Sequence, residues 1–218
     1  MHVWRADLAA VSGEVAESLS GDERARAERF LSTRDAERWR RARGLLRALL
    51  GRYLQREPSS LRFAVGEHGK PALAPDADDA PAASSSASAS SPRLLFNMSH
   101  SGPLALFAFS GTAAVGVDVE VARRAIDEVA VAARALDAAA AARLQALDPP
   151  ARQREFLRAW ARHEAELKCL GTGIGAAAAP PELRALWVLE LAVGENAAAA
   201  VACERAPSEL RRWRWPSA

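Results

Sequence analysis

Gly116-Val117-Asp118-Val119-Glu120 is the segment whose spacing speaks most directly of chemistry. Successive side chains of a strand point to opposite faces, so Val115, Val117 and Val119 share the side expected to be buried, while Asp118 and Glu120 share the other. Two carboxylates one strand-step apart repel unless water or a cation screens them. Oxygen ligands of this kind suit Mg²⁺, which takes one or two carboxylates and fills its shell with water and phosphate oxygens. A partly exposed, solvated strand end accounts for the same residues without a metal, and such groups contribute little to a core.

A second group lies along Trp160-Ala161-Arg162-His163-Glu164-Ala165-Glu166-Leu167-Lys168. On a helix Trp160, Glu164 and Lys168 stack at i, i+4 and i+8. The plain reading is a Glu164–Lys168 surface ion pair worth ~0.3 kcal/mol. Composition adds a second reading. Lysine occurs only at positions 70 and 168 among 29 basic residues, the remainder being arginine. A lysine kept against such a bias suggests a position where a compact ammonium serves in place of a guanidinium fork.

Phe96-Asn97-Met98-Ser99-His100-Ser101-Gly102 sets a histidine, an amide and hydroxyls where an apolar strand is expected to give way to a loop. Asn97, Ser99, His100 and Ser101 there can hydrogen-bond phosphate oxygens; a structural histidine is the competing reading. His2 and His68 carry no assignment. The arginines at 34, 38, 40, 41, 43 and 47 read mainly as a solvated helix face, with one or two able to reach a phosphate. Neighbouring Asp35 and Glu37 and the absence of an aromatic stacking series argue against a nucleic-acid partner, a reading that flat binding curves for DNA or RNA at low salt would exclude. Cys169 has no adjacent base, and no Gly-x-Ser-x-Gly elbow occurs.

These side chains need a frame. Ser20 followed by Glu23 is a capping box opening a short helix toward Phe30, and a longer helix covers 33–56, ahead of Pro58, with Trp39, Leu46, Leu50 and Tyr53 as its apolar stripe. Strands are expected at 61–65, 94–97, 104–109, 114–120, 186–193, 197–204 and 211–215, helices at 126–147 and 150–170, and a turn at 68–71. Residues 75–92, a run of Asp, Ala and Ser, read as a low-complexity mobile loop. Pro58-Ser59-Ser60-Leu61-Arg62 is faintly echoed by Pro181-Glu182-Leu183-Arg184, each after a helix, which suggests two similar halves.

The whole chain allows this. Its 218 residues are 50% hydrophobic, with few aromatics and a net charge of +2, which excludes wholesale disorder and a histone-like polybasic protein. Residues 94–117 carry no formal charge, yet Asn97, His100, Gly102 and Pro103 break the apolar run a bilayer demands, so the stretch reads as buried strands. Asp7, Glu14 and Glu17 argue against a signal peptide, and two cysteines, Cys169 and Cys203, form no disulfide framework. The expectation is a cytoplasmic protein without a membrane partner.

Taken in order, Gly-Lys-Pro at 69–71, Asn-Met-Ser-His-Ser at 97–101, Gly-Val-Asp-Val-Glu at 116–120 and Trp-x₃-Glu-x₃-Lys-x₂-Gly-x-Gly from Trp160 resemble the 4'-phosphopantetheinyl transferases of the surfactin-synthetase-activating type. The resemblance covers nearly the whole chain. It implies an α+β fold of two pseudo-symmetric halves, each a small, mainly antiparallel sheet packed with helices, here divided as 1–103 and 104–218. It implies transfer of the phosphopantetheine arm of coenzyme A to a serine of an apo carrier-protein domain, with release of adenosine 3',5'-bisphosphate, by a monomer. By matching position, Asp118, Glu120 and Glu164 would hold Mg²⁺. Glu164 would also deprotonate the carrier serine, directly or through a water. Lys168 would neutralise charge growing on the phosphates, Lys70, Ser99 and His100 would line the coenzyme, and Arg40 would meet its 3'-phosphate.

One position departs from the pattern. Many relatives carry lysine immediately before the metal-binding glutamate, where this chain has His163. A histidine touching phosphate there would make coenzyme affinity pH-sensitive near neutrality. That departure is the one feature favouring the competing function, an inactive coenzyme A-binding regulator or assembly subunit.

Overall fold

The computed structural model describes residues 1–66, 68–75, 94–122, 126–136, 138–172 and 185–216. The expected loop beyond Pro75, Gly173 of the last motif and the echo at 181–184 lie outside the described residues.

The chain opens with β1 (His2–Asp7) and a 3₁₀ turn (Gly13–Ser18), neither of which the sequence pattern had suggested. α1 (Gly21–Glu28) follows the expected capping box: Ser20 Oγ accepts the Glu23 N–H, and Glu23 Oε2 accepts the Ser20 N–H at 2.9 Å. α2 (Thr33–Leu54) ends at Gln55 in the left-handed region, φ 53°. Its buried stripe, Leu45, Leu46, Leu49 and Leu50, is what holds it to the molecule. A hairpin of β2 (Phe63–Val65) and β3 (Pro71–Leu73) turns through Gly69, whose φ of +83° suits glycine.

β4 (Leu95–Ser101), β5 (Leu104–Ser110) and β6 (Val115–Val121) come next. β4 runs four residues past the expected end at 97, so Ser99 and His100 sit within a strand and not on a loop. The paired β5 supplies the reason, since its register carries β4 through Ser101 opposite Leu104. The helix expected over 126–147 is two, α3 (Glu128–Ala135) and α4 (Ala138–Gln145). Leu136 leaves helical dihedrals at φ −102°, ψ −97°, and the break lets Ala132 and Leu144 meet Phe156 in one cluster, which a straight helix about 30 Å long could not do. α5 (Pro149–Leu170) starts at the Asp148 N-cap and stops at Gly171, φ +75°. β7 (Trp187–Glu190), β8 (Ala197–Cys203) and β9 (Arg211–Arg214) complete the chain.

The strands form sheets ordered β4-β5-β1-β9, β2-β3 and β6-β8-β7. All pairs are antiparallel except β1 with β9. One face of the four-stranded sheet packs on the α2 leucines through Ala6, Phe96, Phe107 and Phe109. Its other face, through Val3, Leu106 and Ala108, meets Val115, Val117, Val119 and Val201 of the three-stranded sheet. The far side of that second sheet packs on α5 through Ala165, Cys169, Ala200 and Ala202. The fold is therefore α+β, small and mainly antiparallel sheets packed with helices. No helix among the described residues is long and apolar enough to cross a membrane.

Candidate active site

β4 and β6 are the facing edge strands of the two larger sheets, and side chains stitch them together in place of a backbone ladder. Asn97 Oδ1 accepts the Val117 N–H at 2.9 Å, and Ser101 Oγ accepts the Val121 N–H at 3.2 Å. The edge of β6 is thereby blunted. The same stripe orients the acids: Ser99 donates to Asp118 Oδ1 at 2.7 Å and Ser101 donates to Glu120 Oε2 at 2.9 Å. The sequence reading counted Asn97 and Ser101 among groups able to meet phosphate oxygens; here they bond to β6, and their period-two spacing with Ser99 was the available signal.

α5 forms the opposite wall. A Cβ on Gly116 would stand 2.1 Å from the Ala165 carbonyl oxygen and 2.3 Å from the Cys169 nitrogen, so only glycine lets the helix lie this close to β6. From that helix Lys168 donates to Asp118 Oδ1 and Ser99 Oγ, and its Nζ lies 4.0 Å from Glu164 Oε2. The ammonium thus stands between the two acids.

Asp118 is 2% exposed and Glu164 3%, so the expectation of partly exposed ligands is wrong for both. The reason is that β6 is covered on both faces, by the other sheet and by α5. Asp118 Oδ2 and Glu164 Oε1 are buried with no hydrogen-bond partner among the described residues. Burial raises the Glu164 pKa; Lys168 works against that, while Asp118 and Glu120 reinforce it. Buried anionic oxygens without partners are costly and call for a cation or a donor. Carboxylate oxygens are the donor type that Mg²⁺ takes. Among the described residues, no three acidic, imidazole or thiol groups already converge as a finished metal cage.

The remaining candidates are placed as follows. His100 lies on the other face of β4 from Ser99, together with Phe96 and Met98, so these two adjacent residues serve opposite sides of the strand. Met98 borders a cleft of about 560 Å³ whose cations are Arg26, Arg43, Arg47 and Arg62. Trp39, Arg43 and Arg47 face it at i, i+4 and i+8 along α2; Arg40 is half-buried on a neighbouring face and is not among the lining residues. Arg47 is fully buried, donating to Glu23 at 2.7 Å and to the Pro58 and Leu61 carbonyls. Lys70 Nζ donates to the carbonyls of Val115 and Cys169. His163 is half-buried near the Trp160 ring, and burial lowers its pKa, which favours the neutral imidazole. Burial pushes the Cys169 thiol up to about 12, leaving no thiolate to act as a nucleophile.

Comparisons with known proteins identify the family. Residues 114–215 match the family model described as the 4'-phosphopantetheinyl transferase superfamily, and residues 3–111 match the one described as 4'-phosphopantetheinyl transferase, N-terminal. The chain is similar to the 4'-phosphopantetheinyl transferase HetI of Nostoc sp., 36% identical over 217 residues, covering 93% of this chain and 86% of that protein. It is also similar to the 4'-phosphopantetheinyl transferase Sfp of Bacillus subtilis, 29% identical over 156 residues, covering 72% of this chain and 62% of that protein. With both halves matched in sequence and the acids gathered where β4, β6 and α5 meet, the chain belongs to the 4'-phosphopantetheinyl transferases.

Proposed function

We propose that the chain moves the 4'-phosphopantetheine arm of coenzyme A onto a serine of an apo carrier domain, in a Mg²⁺-dependent reaction releasing adenosine 3',5'-bisphosphate. The observation carrying this reading is the pair of buried, partnerless oxygens, Asp118 Oδ2 and Glu164 Oε1, beside the Lys168 ammonium. Phosphoryl transfer needs charge neutralisation and in-line positioning more than a covalent nucleophile, and the Lys168 ammonium among buried acids supports the first of these.

Asp118, Glu120 and Glu164 are the residues that would hold Mg²⁺, which when bound polarises the pyrophosphate and offsets its charge. Glu164, its pKa raised by burial, accepts the proton of the carrier serine. The serine oxygen then forms its bond to the phosphorus bearing the pantetheine arm, and the bond from that phosphorus to the bridging oxygen breaks. Lys168 meets the charge growing on the departing bisphosphate. Ser99 fixes Asp118 from the other wall, and the arginine cleft beside Met98 supports a reading in which the nucleotide phosphates sit there, with His100 on the same side of β4.

The deciding experiment incubates the protein with coenzyme A, Mg²⁺ and a panel of apo carrier domains from fatty-acid, polyketide and nonribosomal-peptide systems. A carrier mass gain equal to phosphopantetheine is expected, and kcat/KM across the panel ranks the partners. Tight coenzyme binding with no mass gain on any carrier sinks the reading and leaves the inactive coenzyme-binding protein.

A further inference from the structure

The lysine of the Gly-Lys-Pro turn does not end in open solvent. Lys70 Nζ donates to the Val115 carbonyl at 3.1 Å and to the Cys169 carbonyl at 3.0 Å. Val115 begins β6, three residues before Asp118, and Cys169 lies in the last turn of α5, beside Lys168. The last carbonyls of a helix lack intrahelical donors and carry the negative end of its dipole, so a cation there is favourable. Among the described residues the helix's own cap does not use this carbonyl, because the Gly171 and Thr172 N–H groups both go to Leu167 O. The stem of Lys70 passes over Gly171, with its Cδ 3.6 Å from where a Cβ would stand. Its backbone is fixed as well, the Gly66 N–H donating to the Lys70 carbonyl at 2.9 Å across the hairpin.

We infer that Lys70 is a positioning residue for the transfer: anchored in the β2–β3 hairpin, its ammonium bridges the end of α5 to the start of β6 and so sets the spacing between Glu164–Lys168 and Asp118–Glu120. This inference rests on the transferase reading. It differs from a role for Lys70 as a coenzyme phosphate ligand, because the ammonium is committed to two main-chain carbonyls. Burial with no acidic partner at hydrogen-bond distance among the described residues is a cost that a bridge repays.

The two roles separate in Lys70→Met. The bridge predicts a kcat at least tenfold lower, with KM and the dissociation constant for coenzyme A within twofold of the parent. Lys70→Arg, whose several N–H donors can span two carbonyls, regains most of the loss. Hydrogen exchange without substrate must show faster exchange at the end of α5 and the start of β6 in Lys70→Met and parent-like exchange in Lys70→Arg. A rise in KM and dissociation constant with kcat kept would make Lys70 a phosphate ligand and overturn the inference, as would unchanged kcat or unchanged exchange. Should Lys70→Met fail to fold, Lys70→Gln takes its place; a second failure means that the bridge serves the fold alone, and the inference falls. The exchange experiment needs no turnover, so a parent inactive on every carrier would refute the transferase reading while the bridge is still judged.

Discussion

At the scale of single residues, the site is an arrangement of charges that the protein alone balances only in part. Among the described residues, Asp118 has one oxygen satisfied by Ser99 and Lys168 and one with no partner, and Glu164 likewise keeps a partnerless oxygen. Replacing Asp118 by Asn keeps the shape and removes the charge. Lys168 retains access to water at 29% side-chain exposure, so the substitution is expected to cost only about 1 kcal/mol of stability. Transfer should fall on the order of 10²–10³-fold, the scale for removing one preorganised electrostatic group. Calorimetry paired with steady-state rates checks both halves, and a variant that turns over normally at limiting Mg²⁺ would remove Asp118 from the metal site. Lys168→Arg keeps the charge but puts a planar fork where Ser99, Asp118 and Glu164 leave room for a compact ammonium, so turnover should drop at least tenfold. Normal turnover in that variant would mean that the scarcity of lysine in this chain has no bearing on its chemistry.

At the scale of elements, close approach of α5 to β6 decides whether the acids meet. Gly116→Ala places a methyl group against the backbone of Ala165 and Cys169, atoms that cannot rotate away. The helix must move off the strand, which should lower Tm and cut transfer together, whereas the same substitution at Gly111, which has open space, should change neither. Equal behaviour of the two variants would refute this packing argument. The elements also show what was legible beforehand. α2 and α5 were readable because their apolar stripes follow the helical period, and the acids of β6 because a strand places alternate residues on one face. The burial of Asp118 was hidden, since the alternation rule presumes one wet face and α5 covers it from 46 residues downstream in sequence at Glu164. The continuation of β4 through Ser101 was hidden because polar residues in a strand resemble a loop until their partners on β6 are known. β1 and its pairing with β9 depend on contacts across nearly the full chain, and no local pattern carries those.

At the scale of the molecule, the layers run α2, four-stranded sheet, three-stranded sheet, α5, and the candidate site sits at one margin of the interface between the sheets. One apolar cluster spans that interface, joining Val3, Leu106 and Ala108 to Val117, Val119 and Val201. The ends of the chain are tied into the same body: the Met1 ammonium donates to the Glu209 carbonyl at 2.7 Å, and the Trp215 N–H donates to the Arg5 carbonyl at 2.8 Å. A shared core of this kind favours all-or-none unfolding over two separate melts. The tryptophans allow a direct test. Trp4 stacks on Trp213 at 5.6 Å and lies 6.3 Å from Trp215, all at the β1–β9 margin, while much of the helical signal comes from α5 on the far side. With Trp39, Trp160 and Trp187 replaced by Phe, fluorescence reports the four-stranded sheet and far-ultraviolet circular dichroism reports the helices. The two thermal transitions should share one midpoint, and saturating coenzyme A should raise both equally, because a ligand of the native state stabilises the whole cooperative unit. Midpoints about 5 °C or more apart, or a coenzyme shift seen by one probe alone, would show that the two sheets unfold separately and that the site's geometry is set within the β6–α5 unit without the other sheet.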